Sequence, residues 1–184
     1  MSNTNKKSNF NHSSKKEKSF SNYKRRNKNK SQSSHYSKSK PKKKPFTNKI
    51  SDHFSKNDFA CKETGKLRIS LGLVGALEEL RGVTQKRITI VKGYECPEVA
   101  ESKGQLKRNF HTQGLAADIQ IANMSIQEVF KAAEALESIS GIGLNIKEDY
   151  VHIDTRKAER LLWVEEGDED VPLTDSNRKQ YLSD

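Results

Sequence analysis

Two cysteines, one tryptophan, two methionines and four prolines are all that the 184 residues contain of these types. No apolar run approaches the roughly 20 residues of a membrane helix, so no membrane span is expected. Two thiols, Cys61 and Cys96, are too few for a disulfide framework. They read as reduced, partly buried thiols, with a single Cys61–Cys96 bridge as the alternative. Nor does an apolar stretch follow the N-terminus, where Phe10, Phe20, Tyr23 and Tyr36 stand isolated among Ser, Asn and Lys. No signal peptide is visible. The compartment is left open: cytoplasmic by sequence, unless lysis or another route releases the protein. A monomer is expected.

Acidic residues are nearly missing from the first 50 positions, which hold 16 Lys and Arg against one acid, Glu17. That stretch carries +15 and the rest of the chain −5, so the formal +10 belongs to one end. Residues 1–48 form a low-complexity arm rich in Ser, Asn and Lys, with clusters Lys24-Arg25-Arg26 and Lys42-Lys43-Lys44. Such a segment buries too little apolar surface to offset its ordering entropy, and disorder is expected. Tyr and Phe interleaved with basic residues suit RNA or another polyanion through charge and stacking; a solvated tail without a dedicated partner is the alternative. Apolar content of 32% and a mean hydropathy of −0.92 agree with one folded domain, expected over 49–165, and unfolded ends. Residues 166–184 read as a loose acidic tail.

Within the domain, Phe54 and Phe59 are expected to anchor its first segment, with His53 a capping or packing residue. Ile69, Leu73, Leu77 and Leu80 recur at helical spacing over 67–81. Arg87 to Val91 is a β-branched strand, and an irregular connection is expected from 92 to 112. Ser125 with Glu128 three residues on is a capping box for a helix to about 138. Strands are expected at 141–146 and 150–154, and Arg160 to Val164 closes the domain. Together they predict an α+β fold, a small and mainly antiparallel sheet with helices packed on one side.

The informative stretch is 109–121. Read as a strand, residues 115–121 place Ala116, Asp118 and Gln120 on one face and Leu115, Ala117, Ile119 and Ile121 on the other. Asp118 thus faces a site, where an ionised carboxylate needs a strong partner. In the strand 150–154 the same period groups Tyr150, His152 and Asp154. Singly, His111, Asp118 and His152 have plain readings: a surface imidazole, a hydrogen-bonded strand carboxylate, an imidazole packed on Tyr150. Jointly they offer two imidazoles and a carboxylate to a divalent ion and leave a fourth position open, the pattern of a catalytic zinc.

The order of motifs resembles the M15 metallopeptidases, of the Hedgehog/DD-peptidase-like fold. It comprises His53-Phe54 with Asp58-Phe59-Ala60-Cys61, the helix end Leu77 to Arg81, Ile90-Val91-Lys92-Gly93-Tyr94, His111-x-x-Gly114-x-Ala116-x-Asp118, and Val151-His152-Ile153-Asp154 followed by Trp163. The resemblance spans roughly 50–164. It implies Zn2+ held by His111, Asp118 and His152, and Asp149 as the catalytic acid or base. Asp154 would stand behind the ligands, orienting an imidazole or a loop, or make a plain strand-end hydrogen bond.

Two departures bear on the substrate. Where the family commonly reads Ser-Gly-Tyr-Arg, with the arginine on a substrate carboxylate, this chain has Lys92-Gly93-Tyr94-Glu95. Lys92, Lys107, Arg108 or Arg156 must take over that charge, or the substrate differs. Asn109 replaces a small hydroxyl residue two before the first ligand. Lys92, Tyr94, Asn109 and Arg156 are the substrate-binding candidates. The expected function is zinc-dependent hydrolysis of an amide bond in peptidoglycan or its peptide fragments, by a D,D-carboxypeptidase or an endopeptidase. The rival is a non-catalytic M15-like binding protein whose basic arm docks nucleic acid or an anionic wall polymer.

Overall fold

The computed structural model describes residues 48–167 and 169–183. The basic arm, apart from Asn48, lies outside them. In chain order the elements are α1 (Lys56–Phe59), α2 (Leu71–Thr84), β1 (Ile88–Lys92), α3 (Pro97–Ser102), β2 (Ala116–Ile121), α4 (Ile126–Glu134), β3 (Gly141–Asn145), β4 (Tyr150–Asp154), β5 (Leu161–Glu166), β6 (Glu169–Pro172) and α5 (Arg178–Leu182).

Helix α2 begins four residues later than its apolar spacing suggests. Ser70 stays extended, bonded through its N–H to Gly114 O at 2.8 Å, and its hydroxyl caps the N–H of Gly72. The helix ends where Gln85 turns left-handed and donates its N–H to Arg81 O. The connection expected to be irregular contains α3, which Pro97 opens at the first helical position. Helix α4 starts at the expected capping box, Ser125 and Glu128 each satisfying the other's backbone N–H. It ends at Glu134, four residues short of expectation.

The six strands form one sheet in the order β1-β2-β4-β3-β5-β6. It is mixed, which corrects the mainly antiparallel sheet expected: β3 and β5 run parallel. The cause is local. Strand β4 returns antiparallel beside β3 and ends where β3 starts, and residues 155–160 then lead to the other flank of β3, so that β5 begins at that same end. The segment expected as a loose tail is also corrected, because Val171 pairs with Val164 in the sheet and Leu182 is buried in the core. Arg178 further pairs with Glu134 of α4.

One face of the sheet carries Ala117, Ile119, Ile121, Ile142, Leu144, Val151, Ile153 and Val164, which close the core with Leu73, Leu77 and Leu80 of α2 and Val129, Phe130 and Ala133 of α4. Phe54 and Phe59 join them, as expected. The opposite face carries the polar residues. Its central row runs straight across all six strands in register: Lys92, Asp118, His152, Gly143, Trp163, Pro172.

Candidate metal centre

Asp118 and His152 are direct cross-strand partners on β2 and β4, and opposed residues of antiparallel strands share a face. His111 reaches them from the turn before β2. Asn109 builds that turn, its side chain accepting Thr112 N–H at 2.9 Å and donating to Leu106 O at 3.1 Å. Gly114, at φ +70°, ends it against the backbone of Arg68, where a Cβ would collide with a carbonyl. Asn109 therefore shapes the loop that carries His111, and its amide is spent on backbone.

The three donors converge. His111 Nε2 lies 3.2 Å from Asp118 Oδ1 and 3.2 Å from His152 Nδ1, and His152 Nδ1 lies 2.8 Å from Asp118 Oδ1. A tetrahedral ion with ligands at about 2.0–2.1 Å requires donor–donor edges of roughly 3.3 Å. The triangle has that size, so the residues fit a small tetrahedral cation. Both imidazoles are aimed by what their other nitrogen touches. Gly93 O accepts from His111 Nδ1 at 2.8 Å; a carbonyl cannot donate, so the proton is on Nδ1 and the Nε2 lone pair faces the cluster. His152 turns Nε2 to Asp154 Oδ2 at 3.5 Å and Nδ1 inward.

Electrostatics makes the same demand. Against the cost of burial, His111 and His152 hold the Asp118 carboxyl well below the usual carboxylate range. Among the protein groups alone, burial would lower His152, but Asp118 and then Asp154 push it up to about 9. The buried anion calls for a positive charge, which a proton on His152 or a metal ion can supply. Asp154 is fully buried and itself held: Arg156 Nε lies 2.9 Å from Oδ1, and the Arg156 N–H donates to the same oxygen at 3.0 Å.

Asp118 opens into two hollows. The larger, about 820 Å³, is lined by His111, His152, Phe110, Arg156, Trp163 and Leu161 among others. The smaller, about 280 Å³, is lined by Lys92, Tyr94, Glu95, Lys103, Glu148 and Tyr150 among others. Lys92, Tyr94, Asn109 and Arg156 all line one or both. Arg156 is nonetheless committed, held on Asp154 with its guanidinium carbon 4.4 Å from the centre of the Phe110 ring. Asp149 lines neither hollow. It is exposed at φ +54° in the turn before β4 and lines a third hollow, with Thr89, Gln120 and Ile121. It stands before the first residue of β4, where the turn and not strand parity places it, and Gln120 Nε2 donates to its carbonyl at 2.7 Å. Its neighbour Glu148, also exposed, is among the residues that line the smaller hollow with Asp118 and Tyr150.

Sequence reasoning missed two supports. The Gly93 carbonyl leaves no trace in residue type, although Gly93 itself is required because a Cβ would stand 2.6 Å from Phe59 Cα. Glu95 reads as a charge clash in sequence but is buried and paired, with Lys92 at 3.0 Å and Lys103 at 2.9 Å. Its spacing of three from Lys92 was the available signal. His53 is no ligand: its N–H and Nδ1 both engage Glu78. Cys61 and Cys96 are free and buried.

A mixed α+β domain with a buried His-Asp-His donor set at the meeting of two open hollows has the make-up of a metallohydrolase. The Peptidase M15 family profile matches residues 48–154, more than half of the chain, and the protein belongs to that family. It is 32% identical over 97 residues to the peptidoglycan L,D-endopeptidase MepK of Escherichia coli (strain K12), and equally to that of Shigella flexneri. The match covers 49% of this chain and 53% of each relative, so the chain spans about half the length of the curated relatives it matches.

Proposed function

We propose that the protein is a zinc-dependent endopeptidase that cleaves an amide bond within a peptidoglycan peptide. The carrying observation is the donor triangle of His111, Asp118 and His152, each donor aimed by its neighbours, opening onto hollows wide enough for a chain on both sides of the scissile bond. These three residues would hold the zinc, which when bound acidifies water and polarises a carbonyl. Asp154 keeps the second imidazole turned, and the Asn109 turn keeps the first in place.

Internal cleavage is favoured over removal of a C-terminal residue because three of the cations near the site are engaged. Arg156 is bound by Asp154, Lys103 by Glu63 and Glu95, and Lys107 by Glu101. These three are held by carboxylates and so are not free to seize a terminal carboxylate in the way a carboxypeptidase requires. The relatives are named for an L,D bond, and that bond is the first to test here.

We assign proton transfer to the turn before β4. The resemblance points to Asp149; the lining of the hollow at Asp118 favours Glu148. The position of Asp149 is also what favours the rival, a zinc-bearing binding protein without turnover. Incubation of the full chain with peptidoglycan fragments, followed by mass analysis of products, separates these readings. Internal cuts abolished by a chelator and restored by zinc are expected. Release of single C-terminal residues would make it a carboxypeptidase, and zinc-replete protein that retains peptides without cutting them would establish the rival. Glu148→Gln should lower turnover on the order of 10²–10⁴-fold with zinc retained; if Asp149→Asn does so instead, the proton passes through Asp149.

A further inference from the structure

Lys92 joins the polar row of the sheet only because β1 is bulged. Ile88 and Ile90 face the core opposite Ile121 and Ile119, and period 2 would send Lys92 inward with them. A register shift between Ile90 and Lys92 instead sets Lys92 opposite Asp118. Bulges beside functional sites re-aim side chains in this way.

The re-aimed ammonium is then pinned. Lys92 Nζ lies 3.0 Å from Glu95 Oε2 and 3.5 Å from Gln105 Oε1. Glu95 is itself buried, its other oxygen 2.9 Å from Lys103, so it forms a fixed anchor and not a mobile counter-ion. Lys92 lines both hollows that meet at Asp118, placing it beside whatever spans them.

Resting on the peptidase reading, we propose that Lys92 is a catalytic residue whose ammonium faces the scissile carbonyl oxygen as that oxygen becomes anionic, and that Glu95 is the positioning residue that fixes it. Amide hydrolysis adds the hydroxyl of water to the carbonyl carbon and its proton to the departing nitrogen. On the way, the π pair moves onto the carbonyl oxygen and returns as the C–N bond breaks. An ammonium has three N–H groups; Lys92 donates one to Gln105 and is ion-paired with Glu95 without hydrogen-bonding its Oε2, so N–H groups remain to donate. A neutral carbonyl gains little from it, whereas an oxyanion gains a charge-assisted hydrogen bond from a donor already in place. A resting carboxylate would meet Glu95 and Glu148 in the same hollow, so ground-state anion binding is the weaker use of this cation.

The test is Lys92→Met in the full zinc-loaded chain, with Lys92→Arg as the conservative rescue. Lys92→Met should lower kcat about 10²–10³-fold with KM, zinc content and melting temperature little changed, and Lys92→Arg should recover at least about tenfold. Affinity for a phosphinate analogue of the cleaved peptide should fall by a similar factor, while affinity for the product peptide stays the same. Glu95→Gln should lower kcat about tenfold alone and by nothing further on top of Lys92→Met. A rise in KM at constant kcat would make Lys92 a ground-state anchor, and loss of zinc or of fold without a kcat effect in Lys92→Arg would make it structural; either overturns the proposal. Absence of turnover in the wild type would remove the peptidase reading, and the role of Lys92 with it.

Discussion

His111 and His152 hand the cluster different ring nitrogens, and the difference is set by a backbone carbonyl in one case and a carboxylate in the other. Asp154→Asn keeps the shape but weakens the acceptor for His152 Nε2 and releases Arg156. Zinc affinity, measured by competition with a chelating dye, is expected to fall on the order of 10–100-fold; unchanged affinity would show Asp154 to serve the fold alone. Glu95 gives a pH expectation with a definite sign. Burial would raise its pKa, but Lys103 and Lys92 lower it below the ordinary 4.5. The stability it contributes is complete above that ordinary value and is lost as pH falls through the lowered one. Melting temperature should therefore decline below about pH 4.5, and Glu95→Gln, less stable at neutral pH, should show a flatter acid limb. The donor set was legible in residue type and spacing because metal ligation needs particular atoms. The place of Asp149 was not, since a turn at positive φ decides which neighbour faces inward.

At the scale of elements, the segment from Lys92 to Glu95 carries more of the site than its length suggests. Gly93 packs on Phe59, the Tyr94 N–H bonds Phe59 O at 2.8 Å, and the Gly93 carbonyl orients His111. Gly93→Ala drives a methyl group into backbone that cannot move aside. We expect a loss on the order of 3 kcal/mol in denaturant unfolding together with weaker zinc binding; a stable variant with full zinc affinity would refute this coupling. The strands and the α4 capping box could be read in sequence because period and cap are local signals. The bulge in β1 could not, since the adjacent apolar pair Ile90-Val91 does not say which residue is extra and only pairing with β2 decides it. The parallel β3–β5 pair was hidden for the same reason: the six residues 155–160 carry no signal for the flank on which β5 lands.

At the scale of the whole molecule, the charge split separates a basic arm from an acidic domain. Removal of residues 1–47 should leave hydrolysis of a small soluble peptide unchanged, and any polyanion binding through them should be lost with it and fall steeply with salt in the full chain. Loss of peptide turnover in the shortened chain would count against that division. The other global feature is the row that crosses all six strands from Lys92 to Pro172, drawing on positions 80 residues apart in sequence. A slip of one residue between β2 and β4 would turn Asp118 into the apolar layer and Ile119 toward solvent, inverting every side chain of the strand at once. A sheet slipped at this pair therefore cannot bring Asp118 and His152 together. On the peptidase reading, the specific activity of a preparation becomes a head count of correctly paired chains, and a weakly active batch is expected to be a mixture of competent and inert molecules, not a uniform population of impaired ones.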